Sequence, residues 1–332
     1  MTRRLPLASA LSAGLVALLA ACSSSLPEPT PPPAPAVAPA ALTPGQTSRV
    51  LDDLGAVLTE ADTKLDAKLL DPRVEQPALD MREAEYVRAD ATDGDREPTA
   101  LPTTSQATIV PRTESWPRTQ LVVTDQPADL QAQRILVLRQ DGPRSQYKLW
   151  GWSRLLPSTQ MPPTAKPEIG SPVVAPDSDA LVVSPQDALA QYADVLTKDT
   201  KSEYDDAFAK NASRDEINDL RERNEKAVKG SGTYDETYTA DDEPVVSLGT
   251  LDGGAIVVGR LTSLAKTTLT LDGATLPISD PFYRALTGKK SAKKSVVRTS
   301  TDILVLYVPP AGSDAPMSVL AFESVITDAK AS

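Results

Sequence analysis

The sequence predicts an α+β protein of two tandem units, each with helices followed by an antiparallel sheet. The stretch 135–138 (Ile-Leu-Val-Leu), followed by a turn and a strand with aromatic residues, recurs at 303–306 as the same four residues, a turn and another such strand. Ahead of each hairpin, apolar residues recur at spacings of three, four and seven, the pattern of a helix with one buried face. A proline-rich break separates the halves. These features place two similar units along one chain.

The first 22 residues have the pattern of a secretory signal. Arg3 and Arg4 give the N-terminal segment a positive charge. Residues 5–21 carry no charge and form an apolar run that is shorter than a membrane-spanning helix usually needs. The run ends in Leu19-Ala20-Ala21-Cys22, which resembles the lipobox of bacterial lipoproteins. The resemblance implies that residues 1–21 are a signal peptide cleaved after Ala21 and that the thiol of Cys22 receives a diacylglyceryl group. An ordinary cleaved signal with a chance cysteine is the alternative.

A lipid anchor of this kind predicts an extracytoplasmic protein attached to the membrane without spanning it. The Ala- and Pro-rich composition resembles that of poorly characterised secreted lipoproteins of actinobacteria, in which the anchor lies in the outer leaflet of the plasma membrane. The chain has 34 Lys and Arg against 45 Asp and Glu, a net charge of −11. Because phosphates would be repelled by that balance, nucleic acid is not an expected partner.

Two proline-rich segments divide the chain. Residues 22–45 combine proline with Ala, Ser and Thr, a composition that favours an extended, disordered tether. The alternative is that this segment is a ligand for a proline-binding domain of a partner protein. Residues 158–185 form a second proline-rich stretch and are expected to link the first unit, residues 46–157, to the second, residues 186–330.

Each unit is predicted to begin with two helices and to end with strands. In the second unit, Ser213 and Glu216 have the spacing of a capping box at a helix start. The strands 135–138 and 303–306 are apolar on both faces, so each is expected to be covered on two sides. The predicted helices are 46–70, 77–89, 186–209 and 215–228, and the predicted strands are 107–110, 118–124, 135–138, 147–156, 244–248, 254–264, 267–271, 303–308 and 317–327.

The order of two helices and then a strand meander resembles that of cystatin-like and NTF2-like units. That resemblance implies a fold, with a cone-shaped sheet that often encloses a cavity in the NTF2-like case, and it implies no activity. The glycine-rich stretch 249–254 has strand-like flanks, so it predicts a hairpin turn rather than a phosphate loop.

Composition argues against most enzyme classes. The chain has no His and one Cys, which excludes His-based nucleophile activation and thiolate clusters, so we expect no enzyme, no metal site and no cofactor. Acidic residues near the linker, Asp177, Asp179 and Asp187, lack the spacing of a calcium loop. A His-free glycan hydrolase would need two carboxylates converging in one cleft. The candidate carboxylates for such a site that are adjacent in sequence are Asp52-Asp53, Asp205-Asp206 and Asp241-Asp242-Glu243.

Two side-chain sets are candidate binding residues. Trp150 and Trp152 point to the same face of a strand and could line a cavity for an apolar or glycan ligand, although such residues more often fill a core. The basic cluster Lys289, Lys290, Lys293 and Lys294 could touch anionic lipid head groups or a cell-wall polyanion, although a solvated loop is the simpler interpretation. The sequence thus favours a non-enzymatic envelope module that binds proteins or glycans, with a ligand carrier second and an envelope hydrolase third.

Overall fold

The computed structural model describes residues 37–127 and 131–332, and it confirms the α+β class. The helices are α1 (Pro44–Lys64), α2 (Ala78–Ala91), α3 (Pro185–Lys198), α4 (Ala212–Val228) and α5 (Pro281–Thr287). The strands are β1 (Ser105–Ile109), β2 (Pro111–Arg112), β3 (Arg118–Thr124), β4 (Arg134–Gln140), β5 (Lys148–Leu155), β6 (Ser171–Pro172), β7 (Gly232–Ala240), β8 (Val246–Gly249), β9 (Ala255–Leu269), β10 (Leu276–Pro277), β11 (Ser291–Ala292), β12 (Ser295–Val308) and β13 (Ser318–Ala331).

One nine-stranded sheet contains strands from both halves. Its order is β1-β3-β4-β5-β13-β12-β9-β7, with β8 paired to the first part of β9, and its pairings are antiparallel. The last strand of the first half, β5, meets the last strand of the second, β13, through only two residue pairs: Leu155 with Ala321 and Arg154 with Phe322. Two strand meanders are therefore joined at their final strands.

Helix α1 begins with the strongest local signal of the first half. The side chain of Thr43 accepts from the backbone N–H of Gln46, and the side chain of Gln46 reaches back to the backbone N–H of Thr43, which makes a capping box. Pro44 occupies the first helical position, where no N–H is needed. The helix ends where Leu65 adopts a left-handed conformation, so the single helix predicted over 46–70 breaks before residue 70.

Helix α4 begins earlier than the sequence predicted. The side chain of Asn211 accepts from the backbone N–H of Arg214 and caps the helix. Ser213 donates its hydroxyl to Asn211 and lies inside the first turn, so the predicted capping box of Ser213 and Glu216 is wrong. Asparagine is as favourable an N-cap as serine, and Asn211, two residues before Ser213, therefore sets the start of α4.

The apolar central strands are covered on both faces, as predicted. Along β12, Ile303 and Val305 join a core formed with α1, α2 and the first meander, whereas Leu304 and Leu306 join a second core beneath α3. All four side chains are fully buried. The second face of β12, for which the sequence did not identify a partner, is therefore covered by the first half of the protein.

The proline-rich segments hold more structure than the sequence predicted. At the end of the predicted tether, Ala40 forms a bridge with Arg112, and Leu42 is buried. In the predicted linker 158–185, Ser171 and Pro172 form β6 beside β2, and Val173 forms a bridge with Leu248. Backbone hydrogen bonds to neighbouring strands fix these stretches even though they lack regular periodicity.

Strand boundaries in the second half also differ from the prediction. The predicted strands 254–264 and 267–271 are one strand, β9, and the predicted turn 249–254 connects it to β8. Strand β7 and the first part of β12 have no counterpart in the prediction because their sequences are mostly polar, and helix α5 has none because its seven residues are too few for a periodic pattern. These elements build the site described next.

Candidate functional site

A cavity of about 280 Å³ lies between α4 and the sheet in the second half. It is at the small end of the volumes that small-molecule sites occupy. Its wall combines a charged and polar sheet with an apolar stripe. The lining residues are Arg154, Ser213, Glu216, Ile217, Leu220, Tyr234, Glu236, Tyr238, Ser263, Ala265, Arg298, Ser300, Phe322, Glu323, Ser324 and Ile326.

The side chains of the sheet differ in size beneath the two helices of this half. Under α3, Gly259 lets the helix approach closely, since a Cβ added there would lie 2.3 Å from Leu189 Cδ1. Under α4, the sheet presents the small side chains of Ser263, Ala265 and Ser300. Helix α4 offers few apolar residues on that side, so the space remains unfilled.

Strand register places an acid and a base on either side of an alanine. Glu236 on β7 pairs with Ala265 on β9, and Ala265 pairs in turn with Arg298 on β12. Strands lie about 4.8 Å apart, so the backbones of Glu236 and Arg298 are roughly 10 Å apart. The small Ala265 side chain leaves the gap between the two charged groups open.

Glu236 is mostly buried and incompletely paired. Its side chain is 10% exposed, and Tyr238 donates to its Oε1 at 3.2 Å. Arg221 Nε lies 3.6 Å from Oε2, yet among the described residues no donor is in hydrogen-bonding geometry to that oxygen. Burial raises the pKa of Glu236, and the positive charges of Arg221 and Arg298 and the nearby hydroxyls of Tyr238 and Tyr234 act against that rise. One carboxylate oxygen is therefore free to accept a hydrogen bond.

Arg298 is half-buried, and within residues 37–127 and 131–332 it has no ion pair. Its guanidinium carbon lies 5.5 Å from the ring centre of Tyr283 on α5, and its Nη1 donates to the Tyr283 hydroxyl at 3.4 Å. A guanidinium has five N–H donors. The single long hydrogen bond to Tyr283 leaves most of them unused.

Two further polar groups of the cavity have spare hydrogen-bonding capacity. Tyr234, which is 7% exposed, has a hydroxyl with no partner in the described part of the chain, although Glu236 and Asn224 lie near it. Glu323 is half-buried as a residue, but its Oε2 atom is shielded from solvent and likewise accepts nothing from the residues described. Burial raises the pKa of Glu323 to about 7, opposed by Arg134 and Arg154. Unpaired buried groups of this kind are costly unless a ligand or water satisfies them.

Asp302 lies two residues beyond Ser300 on β12, at the inner end of the same strand face. It is completely buried. Burial raises its pKa to about 7, with the hydroxyls of Ser324 and Ser263 acting against the rise and the charge of Glu236 adding to it. The folded protein therefore retains a proton on Asp302 that the unfolded chain releases at lower pH.

This retained proton predicts a pH-dependent stability that Asp302→Asn removes. Because the folded-state pKa is above the ordinary value of about 4, the wild-type free energy of unfolding falls as pH rises from about 4 to about 7, by up to ~1.4 kcal/mol per pH unit. Asparagine has no such proton to lose, so the variant should lose less stability in this window and exceed the wild type at pH 8. Urea unfolding at pH 5 and pH 8 measures the difference, with the exposed Glu222→Gln as control. Equal pH slopes in wild type and Asp302→Asn would disprove this account of Asp302.

The tryptophans predicted as ligand contacts lie in the first-half core. Trp152 is fully buried and Trp150 is 7% exposed, and neither lines the cavity of the second half. Arg82 of α2 lies over the Trp152 ring, with its guanidinium carbon 5.8 Å from the ring centre. Both side chains therefore fill a core, and the pairing of β4 with β5 shifts register at Trp150, which interrupts the alternation of side chains expected between the two tryptophans.

The basic cluster is exposed in the connection between α5 and β12. Lys289, Lys290, Lys293 and Lys294 all face solvent, and Lys289 Nζ donates to the carbonyl of Ala331 at 2.6 Å. An anionic-surface contact at these lysines stays a prediction. Ala21 and Cys22, the predicted cleavage and lipidation residues, lie outside the described residues, as does the signal peptide.

The adjacent carboxylates singled out from sequence take part in ion pairs. Asp53 contacts Arg73, Asp205 contacts Arg214, and Asp241 contacts Arg260. Asp187 accepts from the Ser184 hydroxyl in the first turn of α3. The carboxylates that line the cavity near the sheet, Glu236 and Glu323, were not predicted from the sequence.

A signal for the site was present in β7. Tyr234, Glu236 and Tyr238 alternate with polar residues, which is the period of a strand with one covered face.

No group of three or more metal-binding side chains occurs in the described ranges. A search of those ranges also finds no helix with the length and apolar character needed to cross a membrane.

The family of the chain is shown by one comparison. A family model described as a domain of unknown function, DUF8094, matches residues 38–331, so the chain belongs to that family. No curated protein and no solved structure matches it.

Proposed function

We propose that this protein is a lipid-anchored, extracytoplasmic binding protein that holds a small ligand in the cavity beneath α4. The observation that carries the proposal is the pairing of a cavity with buried polar atoms that lack hydrogen-bond partners among the described residues, chiefly on Glu236 and Tyr234. Protein cores rarely leave such groups unsatisfied. A ligand with a polar end and an apolar part would satisfy them while covering Ile217, Leu220 and Ile326.

The order of elements supports two tandem cystatin-like or NTF2-like units. In the first half two helices precede the meander β1-β3-β4-β5, and in the second half two helices precede β7-β9-β12-β13. The two meanders join through their equivalent last strands. We propose that the halves are repeats of one unit and that the second has kept an open cavity.

Membrane attachment is proposed from Leu19-Ala20-Ala21-Cys22. We expect Cys22→Ala to move the protein from the membrane fraction to the soluble fraction, because diacylglyceryl transfer needs the thiol. Immunoblotting of fractionated cells measures the shift, and Ser23→Ala serves as the matched control. A Cys22→Ala protein that stays in the membrane fraction would contradict the anchor.

Filling the cavity tests the binding function. Ala265 lies at the centre of the site, so Ala265→Trp should occupy the space and abolish ligand binding. Saturation-transfer NMR of the full-length protein with a library of small amphipathic fragments should identify binders whose signals disappear in the variant. The exposed Thr270→Trp is the control, and thermal melts check that both variants fold. If every binder of the wild type also binds folded Ala265→Trp, the cavity is not the site.

A His-free glycan hydrolase is a second candidate, favoured by one observation. Glu236 and Glu323 line the same cavity, and a carboxyl with a raised pKa suits a general acid. Release of reducing sugars from cell-wall glycans that disappears in Glu236→Gln and Glu323→Gln would support catalysis. Binding without turnover would favour the first proposal.

A further inference from the structure

We propose that the ligand of the cavity is a small zwitterion, with an ammonium group held at Glu236, a carboxylate held at Arg298 and an apolar chain under α4. This inference rests on the proposed function and specifies the ligand chemistry of the same site. Its basis is the row Glu236–Ala265–Arg298 across three adjacent strands.

The row separates opposite charges that would otherwise pair. No carboxylate among the described residues forms an ion pair with Arg298, although Glu236 lies on the same row. The pKa of Arg298 is raised by its neighbours Tyr283 and Tyr234 and, more weakly, by Glu236. A longer residue than Ala265 would fill the gap between them. An ammonium and a carboxylate attached to the same carbon fit such a gap in one orientation, since each charge then lies beside its opposite.

At the acidic end, the available groups are acceptors. Glu236 Oε2 accepts nothing from the described chain, and Arg221, its nearest cation, uses Nη1 and Nη2 for Asn218 and the carbonyl of Leu196. An ammonium group brings three N–H donors and a positive charge. Charge-assisted hydrogen bonds of this type are about twice as strong as neutral ones.

At the basic end, the available groups are donors. Arg298 retains unused N–H groups beyond its contact with Tyr283, and a guanidinium matches a carboxylate in a two-point hydrogen bond. The hydroxyl of Ser300 lies two residues along β12 on the same strand face. A ligand carboxylate placed here lies at Arg298, at the opposite end of the row from Glu236.

An apolar stripe of the wall sets the third ligand feature. Ile217 and Leu220 of α4 and Phe322 and Ile326 of β13 form this stripe. The volume of about 280 Å³ corresponds to roughly nine water molecules at ~30 Å³ each, which suits a branched aliphatic chain rather than a lipid tail.

Three probes that differ by one charge test the inference: L-leucine, leucinol, which lacks the carboxylate, and N-acetyl-L-leucine, which lacks the ammonium. Isothermal titration of the full-length protein at neutral pH should show L-leucine binding at least about tenfold more tightly than either derivative. In Glu236→Gln the preference over N-acetylleucine should disappear, and in Arg298→Gln the preference over leucinol should disappear. The exposed Glu222→Gln, on α4 but outside the cavity lining, should keep both preferences.

Each outcome decides between defined alternatives. If leucinol equals leucine, or if N-acetylleucine equals leucine, the zwitterion assignment is wrong while binding in the cavity stands. If none of the three probes binds but other fragments are lost in Ala265→Trp, the cavity binds another class of ligand and only this inference fails. If an Arg298→Gln variant melts early, Arg298→Lys, which keeps the charge, should recover part of the leucine preference, and failure to do so counts against the assignment.

Discussion

Replacing Arg82 with methionine is expected to lower the free energy of unfolding by about 3–5 kcal/mol. Arg82 is 2% exposed and joins α1 to α2: its Nε and Nη2 donate to Asp62 at 3.0 and 2.6 Å, and its Nη1 donates to Glu85 at 2.8 Å. Glu85 is 1% exposed, so removing the arginine leaves a buried carboxylate without its main counter-charge. Chemical denaturation monitored by circular dichroism measures the loss.

A matched pair of variants keeps this expectation testable. Lys64→Met removes an ion pair with Glu60 in which both side chains are more than half exposed, and it should cost less than about 1 kcal/mol. If Arg82→Met does not fold, the double variant Arg82→Met/Glu85→Met should fold, because an apolar pair leaves no buried charge behind. Equal costs for Arg82→Met and Lys64→Met would contradict the role of this network.

Trp152→Ala is expected to cost about 3–5 kcal/mol because it opens a large void in the first core. Trp152 has no exposed surface and packs between its cross-strand neighbour Leu136 and the guanidinium of Arg82. Trp152→Phe should cost less, since it retains much of the volume and removes a buried indole N–H that has no partner among the described residues. Thermal and urea unfolding provide both values.

The same variants separate a core role from a ligand contact. A core tryptophan changes stability and leaves fragment binding in the second half unchanged. A loss below about 1 kcal/mol in Trp152→Ala, accompanied by weaker ligand binding, would contradict the position assigned to Trp152. Effects of Trp152 and Arg82 will not add, because the two side chains are in contact.

The sequence predicted those elements whose apolar residues follow a clear period. Strand β3 has the predicted bounds, 118–124, and the buried face of α1 was read from its spacing. Strand β7 was missed because its alternation is carried by tyrosine and glutamate rather than by aliphatic residues. Local patterns also could not show that the two halves share one sheet, since the junction consists of only two residue pairs.

The candidate site was beyond the reach of sequence patterns for a similar reason. Glu236 and Arg298 are 62 positions apart, and only the register of β7, β9 and β12 sets them on one row with Ala265 between them. Each residue alone is an ordinary charge on a polar stretch. Their binding capacity depends on the hydrogen bonds and ion pairs that each side chain does not make, and these can be identified only when the neighbours of each atom are known.

Methyl NMR of the full-length protein gives the most direct test of the central claim, that the cavity under α4 binds a small ligand. The protein would carry ¹³C-labelled isoleucine methyls and be titrated with the tightest binder among L-leucine and the fragments. A ligand in this cavity should cause saturable shifts for Ile217 and Ile326, which line it, and leave the signals of Ile109 and Ile135 in the other core unchanged. Saturable shifts confined to Ile109 or Ile135, with Ile217 and Ile326 unmoved, would contradict it.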